Sequence, residues 1–384
     1  MLIQFHLLQN YAPSNLNRDD TGSPKDAIFG GYRRGRISSQ CLKRSIRRSA
    51  AFVEEFEREG LLAVRTKGLP GLIREELQAL GLDQAAVQAI VARVPEIGRE
   101  SAKRRAEDEG ESEAEKADTE QAATEVEEAT RQLIFLARNE LRPLAERLVE
   151  RYHELGARGW DKAKMPEITA ALGQTVPRSV DVAMFGRMTT SAAFGDVQAA
   201  VQVAHALSTN ALTPEFDYYT AVDDLSGESG AGMIGDVEFN SSTYYKYLNV
   251  HWEELVKNLG DDVAVARRAV LALLEAAATA QPTGKQNSFA AFSLPDLVLV
   301  EVGVPNLPVS YANAFLKPAR VSGDQSLMDV SVRQLGDYLA KVSGTFNLDG
   351  KRAFIALSDY AVPGAKNMAS LRALGDWLAQ QLPE

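Results

Sequence analysis

The order of apolar and polar positions predicts a chain in which strands and helices interleave. Leu2 to Leu8 reads as a buried first strand. The stretch after it, YAPSNLNRDDTGSPKD, is punctuated by Pro, Gly, Asn and Asp and reads as turns. Ser38 or Ser39 caps a helix running to about Glu59, with Leu42, Ile46, Val53 and Phe56 at helical spacing. On that helix Gln40, Lys43 and Arg47 share one face, and Arg44 and Arg48 form a second basic ridge.

Residues 60–172 carry helical patterns, including a helix over Thr124 to Leu155, and read as an insertion or second lobe. Val180 to Phe185 predicts a strand and Val197 to Leu207 a helix. FDYYTAVDD and DVEFNSSTYYKYLNV alternate like two strands around the Gly-rich LSGESGAGMIG, which predicts a long hairpin with a flexible tip. A helix over Asp262 to Ala280, a strand over Leu297 to Val302, a helix near 329–342, a strand near 353–358 and a helix near 368–381 complete an α+β pattern.

Composition narrows this picture. A chain of 384 residues, 45% hydrophobic, is long enough for two or three lobes. Its single cysteine, Cys41, rules out an internal disulfide framework and fits a reducing compartment. The N-terminus MLIQFHLLQN lacks the features of a signal peptide, and AVLALLEAAATA is too short to span a bilayer, so a cytoplasmic protein away from membranes is expected.

The net charge of −10 argues against a nucleic-acid partner until it is mapped. Residues 100–130 hold 12 acids and 4 bases and read as a solvated or mobile segment, whereas residues 1–50 hold 9 bases and 3 acids. Seven of the sixteen residues from Arg33 to Arg48 are basic, and no acid lies between Ala27 and Val53. Phosphate attraction is screened within about 10 Å, so a local basic face outweighs the total charge. These bases surround a capped helix N-terminus, whose free backbone N–H groups favour phosphate, and a backbone-binding surface is implied.

Other motifs give weaker leads. GAGMIG, Gly230 to Gly235, matches the dinucleotide fingerprint in letters, but a strand-like pattern follows where a helix is needed. Its Met233 and Ile234 are either core-facing or an apolar wedge between bases. TGK at Thr283 to Lys285 lacks the upstream glycine of a P-loop. Lys285 and Gln286 beside Phe289 and Phe292 fit a phosphate contact or an aromatic core. The four histidines show no ligand spacing. Cys41 among bases has a setting that favours a thiolate, but with no paired His it reads better as a small helix residue. Asp19 and Asp20 fit a turn, and also fit a metal pair for a ribonuclease.

LNRDDTGSPKDAIFGGYRRGRISSQCLKRSIR resembles the N-terminal signature of the CasC (Cse-type) family, the backbone subunit of the type I-E CRISPR Cascade complex. SVDVAMFGRMTTS, AHALSTN, DYYTAVDDL, GKQNSFAAF and ANAFLKP extend the resemblance along the chain. It implies a modified RRM-like (ferredoxin-like) palm over 1–59 and 173–384, helical fingers over 60–172 and a β-hairpin thumb at about 213–250. It also implies a non-catalytic scaffold without cofactors that polymerises along CRISPR RNA, joins other Cascade subunits and presents guide bases to a target DNA strand. By the same resemblance Arg18, Lys25, Ser38, Gln40, Lys43, Arg44, Arg47, Lys285 and Gln286 would hold RNA. Met188 would be a wedge at a displaced base, with Met233 and Ile234 near the thumb tip.

Overall fold

The computed structural model describes residues 1–97, 130, 133–173, 175–189, 193–222, 231–303, 307–321 and 323–384, with the backbone alone for Met165, Ala221, Val222, Ala231 and Gly232. The acidic segment 100–130, save Thr130, and the tip of the 213–250 hairpin at 223–230 lie outside the described residues. The chain divides into two compact units, one of Met1–Phe52, Gln202–Trp252 and Val270–Glu384, the other of Val53–Val201 and Glu253–Ala269.

In chain order the elements are β1 Leu2–Ser14, β2 Asp26–Phe29, β3 Tyr32–Ile37, α1 Ser39–Arg47, α2 Ala50–Phe56, β4 Ala63–Thr66, α3 Leu69–Ala79 and α4 Gln84–Val91. Then come β5 Ile134–Ala137, α5 Leu141–Lys162, α6 Met165–Leu172, α7 Val180–Phe185, β6 Val201–Val203, β7 Ala206–Ser208, β8 Glu215–Val222 and β9 Ala231–His251. The C-terminal part holds α8 Trp252–Asn258, α9 Val263–Thr279, α10 Gln286–Phe289, β10 Leu297–Gly303, α11 Leu327–Phe346, β11 Lys351–Ala356, β12 Lys366–Asn367 and α12 Leu371–Ala379. The fold is α+β, with one large mixed sheet.

That sheet runs β12-β11-β10-β1-β9-β7-β3-β2, with β6 and β8 also pairing β9. β1 lies antiparallel between β10 and β9, placing His6 opposite Leu299 on one side and Tyr247 on the other. On one face Leu8, Tyr245, Leu297, Leu299 and Phe354 pack with Met328, Val332, Leu335, Leu339 and Val342 of α11. Such burial stabilises by about 1.5–3 kcal/mol per large side chain. A smaller cluster of Tyr11, Leu16, Ile37, Leu42, Ala206 and Tyr244 seats α1. In the second unit α3, α4 and α5 bury Leu69, Ile73, Leu77, Ile90, Leu144, Leu148 and Trp160 together.

Four stretches differ from their sequence pattern. α1 stops at Arg47 instead of running on to Glu59, because Ser49 turns both its N–H and its hydroxyl onto the Ile46 carbonyl. A second helix starts at Ala50. Val180–Phe185 is a helix, not a strand; its apolar run is buried on all sides and carries no period to distinguish the two. Asp181 Oδ1 accepts the N–H groups of Ala63 and Val182 there. Val197 to Leu207 is no helix but holds β6 and β7, since pairing with β9 and β3 overrides an alanine-rich propensity. Within the helix expected over Thr124 to Leu155, Ile134–Ala137 is a strand paired with β4 and Leu141 onward is helix, while 124–129, 131 and 132 lie outside the described residues.

Candidate nucleic-acid interface

Three segments of the first unit converge on the start of α1. Ser38 is its cap: extended, with its hydroxyl accepting the Cys41 N–H at 3.2 Å. Leu42 and Ile46, one turn apart, bury the inner face and leave the basic residues on the others. The loop before β2 is tied to this cap, since Asn17 Oδ1 accepts the Ser38 N–H at 2.8 Å and Lys25 N–H donates to the Asn17 carbonyl at 2.8 Å. Arg18 and Lys25 are thereby held beside the helix N-terminus. The 281–293 loop abuts the same segment. Gly284 lies so close that a Cβ would meet the Leu16 carbonyl oxygen at 2.2 Å, so only glycine fits.

Arg18, Gln40 and Arg44 are exposed, whereas Lys25, Lys43, Arg47 and Lys285 are half-buried. Ser38 is buried in its capping role. Lys285 has a left-handed backbone, φ +50°, at the entry to α10. Gln286 does not face solvent: its amide donates to the Pro282 carbonyl at 3.0 Å, and it braces the loop from inside.

The basic run itself is only partly surface. Arg33 pairs with Asp26. Arg34 is wholly buried and its guanidinium donates to the carbonyls of Ser208 (2.9 Å), Thr209 (2.7 Å) and Phe315 (2.5 Å), clamping β3 to the chain beyond β7. Arg34 thus builds the platform, while Arg33 stays exposed beside its Asp26 partner.

Behind α1 lies a lysine that charge counting did not single out. Lys246 on β9 is buried, its ammonium donating to Gln9 Oε1 and to the Tyr11 hydroxyl at 3.0 Å. Burial pushes it down to about 7. Gln281 Oε1 accepts the Tyr11 hydroxyl at 2.8 Å, which joins this network to the loop that carries Lys285. Cys41 is no thiolate. Burial pushes its thiol up to about 11, outweighing Arg44, Lys246 and Lys25.

Asp19 is a turn residue. Its Oδ1 accepts the N–H and hydroxyl of Thr21 and the Ser23 N–H, at 2.8–3.0 Å. Slight burial acts to raise its carboxyl, but these bonds hold it below the usual carboxylate range. Among the described residues no group of three or more His, Cys, Asp or Glu is placed to hold a metal. The pairing of Asp19 with Asp20 as metal ligands therefore gains no third partner there. The dinucleotide motif also finds no matching backbone, because Ala231–Gly235 is strand.

β8 and the first half of β9 form a two-stranded ribbon, with Ala221 opposite Met233 and Thr220 opposite Ile234. As strand neighbours, Met233 and Ile234 point to opposite faces, and both are exposed, by 55% and 63%. The core-facing alternative for them is excluded. Tyr219 closes over Gly235, where a Cβ would come within 2.6 Å of its ring.

Met188 belongs to the second unit and is 79% exposed. Its neighbour Arg187 is buried and meets Glu140 through two bonds of 2.6 and 2.9 Å. Arg187 also exchanges backbone bonds with Val197 at 3.0 and 2.8 Å, which holds these two residues side by side. Among the described residues no helix is long and apolar enough to cross a membrane.

A family model described as CT1975-like protein matches residues 3–380. Among solved structures, the chain is similar to one in a "CRISPR RNA-guided surveillance complex, pre-nicking", at 30% identity over 99% of this chain and 100% of that one, with a TM-score of 0.78. A chain of a "CRISPR RNA-guided surveillance complex" shares the fold at 24% identity, 99% coverage of both chains and a TM-score of 0.60. No curated protein matches the chain.

Proposed function

The chain belongs to the family of CT1975-like proteins, and we propose that it is a CRISPR RNA-binding scaffold subunit of a Cascade-type surveillance complex, akin to the CasC backbone subunit of type I-E. The observation that carries this reading is the convergence at α1: a capped helix N-terminus, two loops tied to it, and bases from all three. A helix N-terminus offers N–H groups and a partial positive charge to an anion, and the flanking cations add to both. A helix N-terminus with clustered cations suits phosphate, so the grip is on phosphate and sugar.

In this reading Arg18, Lys25, Gln40, Lys43, Arg44, Arg47 and Lys285 contact the guide backbone. Ser38 and Gln286 act from beneath, one capping the helix and the other shaping the loop. The ribbon of β8 and β9 is the thumb, 60–172 the fingers and the remainder an RRM-like palm. Met188, Met233 and Ile234 are apolar groups that displace guide bases. Copies of the chain stack head-to-tail along the guide in a heterologous contact, beside other subunits of the complex. Pairing between guide and target DNA supplies sequence specificity, while the protein reads shape.

The test is binding of single-stranded RNA as a function of salt. Lys43→Ala and Arg47→Ala each weaken binding on every sequence and reduce the salt slope by about one. A slope unchanged in both variants refutes the grip.

A further inference from the structure

Arg36 and His205, which lie outside the set above, meet beside Lys25. Arg36 is on β3, two residues before the cap Ser38, or about 7 Å along an extended chain. His205 is in the short link between β6 and β7. Pairing of β3 with β7, Arg36 opposite Leu207, brings that link alongside. Arg36 Nη1 donates to His205 Nδ1 at 3.0 Å, and Arg36 Nε donates to the Asp26 carbonyl at 3.1 Å. The Arg36 backbone N–H donates to the Lys25 carbonyl at 2.9 Å.

A guanidinium can only donate, so Nδ1 must be the unprotonated nitrogen of a neutral ring and the ring proton sits on Nε2. Partial burial, then Arg36 and Lys25, lower the basicity of His205 and keep it neutral at pH 7. The charges that lower it are those two cations. The ring is exposed. Two cations and an N–H donor thus gather here, and the nearby carboxylate of Asp26 is engaged by Arg33.

Resting on the RNA reading above, we propose that Arg36 and His205, with Lys25, anchor a further RNA phosphodiester, Arg36 supplying charge and fixing the tautomer by which neutral His205 donates its Nε2–H. The phosphate lies next along the strand from the one held at the start of α1. It is a sequence-independent contact, like its neighbours.

Salt-dependent binding of single-stranded RNA separates the two roles. Arg36→Ala weakens binding about tenfold and lowers the salt slope by about one, because a charge is lost. His205→Ala weakens it about fivefold with the slope unchanged, since a neutral donor releases no counterion. His205→Gln keeps an N–H and restores most of the loss. Arg36→Lys, the variant that best preserves folding, keeps the slope but recovers only part of the affinity. Thermal melting of each variant checks that it is folded. RNA binding by the wild type that falls in Lys43→Ala but is indifferent to Arg36 and His205 overturns this inference alone. So does a His205→Ala slope reduced as much as that of Arg36→Ala. A wild type that binds no RNA even at low salt overturns the function itself.

Discussion

Replacing Arg187 with methionine isolates the buried pair next to Met188. Glu140 is completely buried and accepts four bonds: 2.6 and 2.9 Å from Arg187, 2.7 Å from the Thr175 hydroxyl and 2.9 Å from the Ala137 N–H. Arg187 also donates to the carbonyls of Gly195 and Phe135. Methionine keeps the apolar stem, strips the carboxylate of its counter-charge from Arg187 and leaves two carbonyls without their arginine donor. Breaking a buried pair from one side costs about 3–5 kcal/mol. With a urea slope of about 2 kcal/mol/M, the midpoint of the second unit falls by about 2 M. Amide exchange at Thr175, Arg187 and Val197 reports that unit directly. The double variant Arg187→Met, Glu140→Leu removes both charges and recovers most of the loss, giving a coupling energy of about 3 kcal/mol. A single variant costing under about 1 kcal/mol, or a double variant as unstable as the sum of its parts, refutes the reasoning.

Two further outcomes follow from buried charge in the first unit. Burial pushes the Glu301 carboxyl up, but the His6 hydrogen bond and the charges of His6 and Arg352 outweigh it and leave it at about 2. A carboxylate so depressed stabilises above its unfolded value, so wild type loses about 3 kcal/mol relative to Glu301→Gln as pH falls from about 4.5 to 2; parallel acid denaturation curves for the two proteins would contradict this. Lys246, held down to about 7 by burial, binds fewer protons folded than unfolded between about pH 7 and 10. Stability relative to Lys246→Met therefore rises with pH through that window, by at most about 1.4 kcal/mol per unit. Urea midpoints at the two ends of the window check it, and a constant difference counts against it.

What the sequence discloses depends on how local the cause is. The cap at Ser38 and the ribbon of β8 and β9 are written in neighbouring residues, and both are present. The strand at 297–303 and the helix at 327–346 show their periods within their own length. Val180–Phe185 and Val197 to Leu207 fail because burial on every side, or pairing with a distant strand, decides their form. The same holds at the site. Seven bases in sixteen residues look alike in the sequence, and only contacts with Ser208, Thr209 and Phe315 mark Arg34 as a clamp. Gly284 against Leu16, and His205 against Arg36, join residues more than 150 positions apart and leave no local trace.

β9 is one unbroken strand of 21 residues, roughly 70 Å if fully extended. Its second half is locked against β1 from Asn240 to His251, while its first half forms the exposed ribbon. The core therefore keeps time for the ribbon. One residue inserted near the junction at Phe239 would leave Tyr245 and Tyr247 in place but turn the ribbon over, exchanging the sides of Met233 and Ile234. Two inserted residues would restore the sides and push the ribbon outward by about 7 Å. Changes in ribbon length along this strand are thus quantised in pairs, a rule that the buried half imposes on surface it never touches.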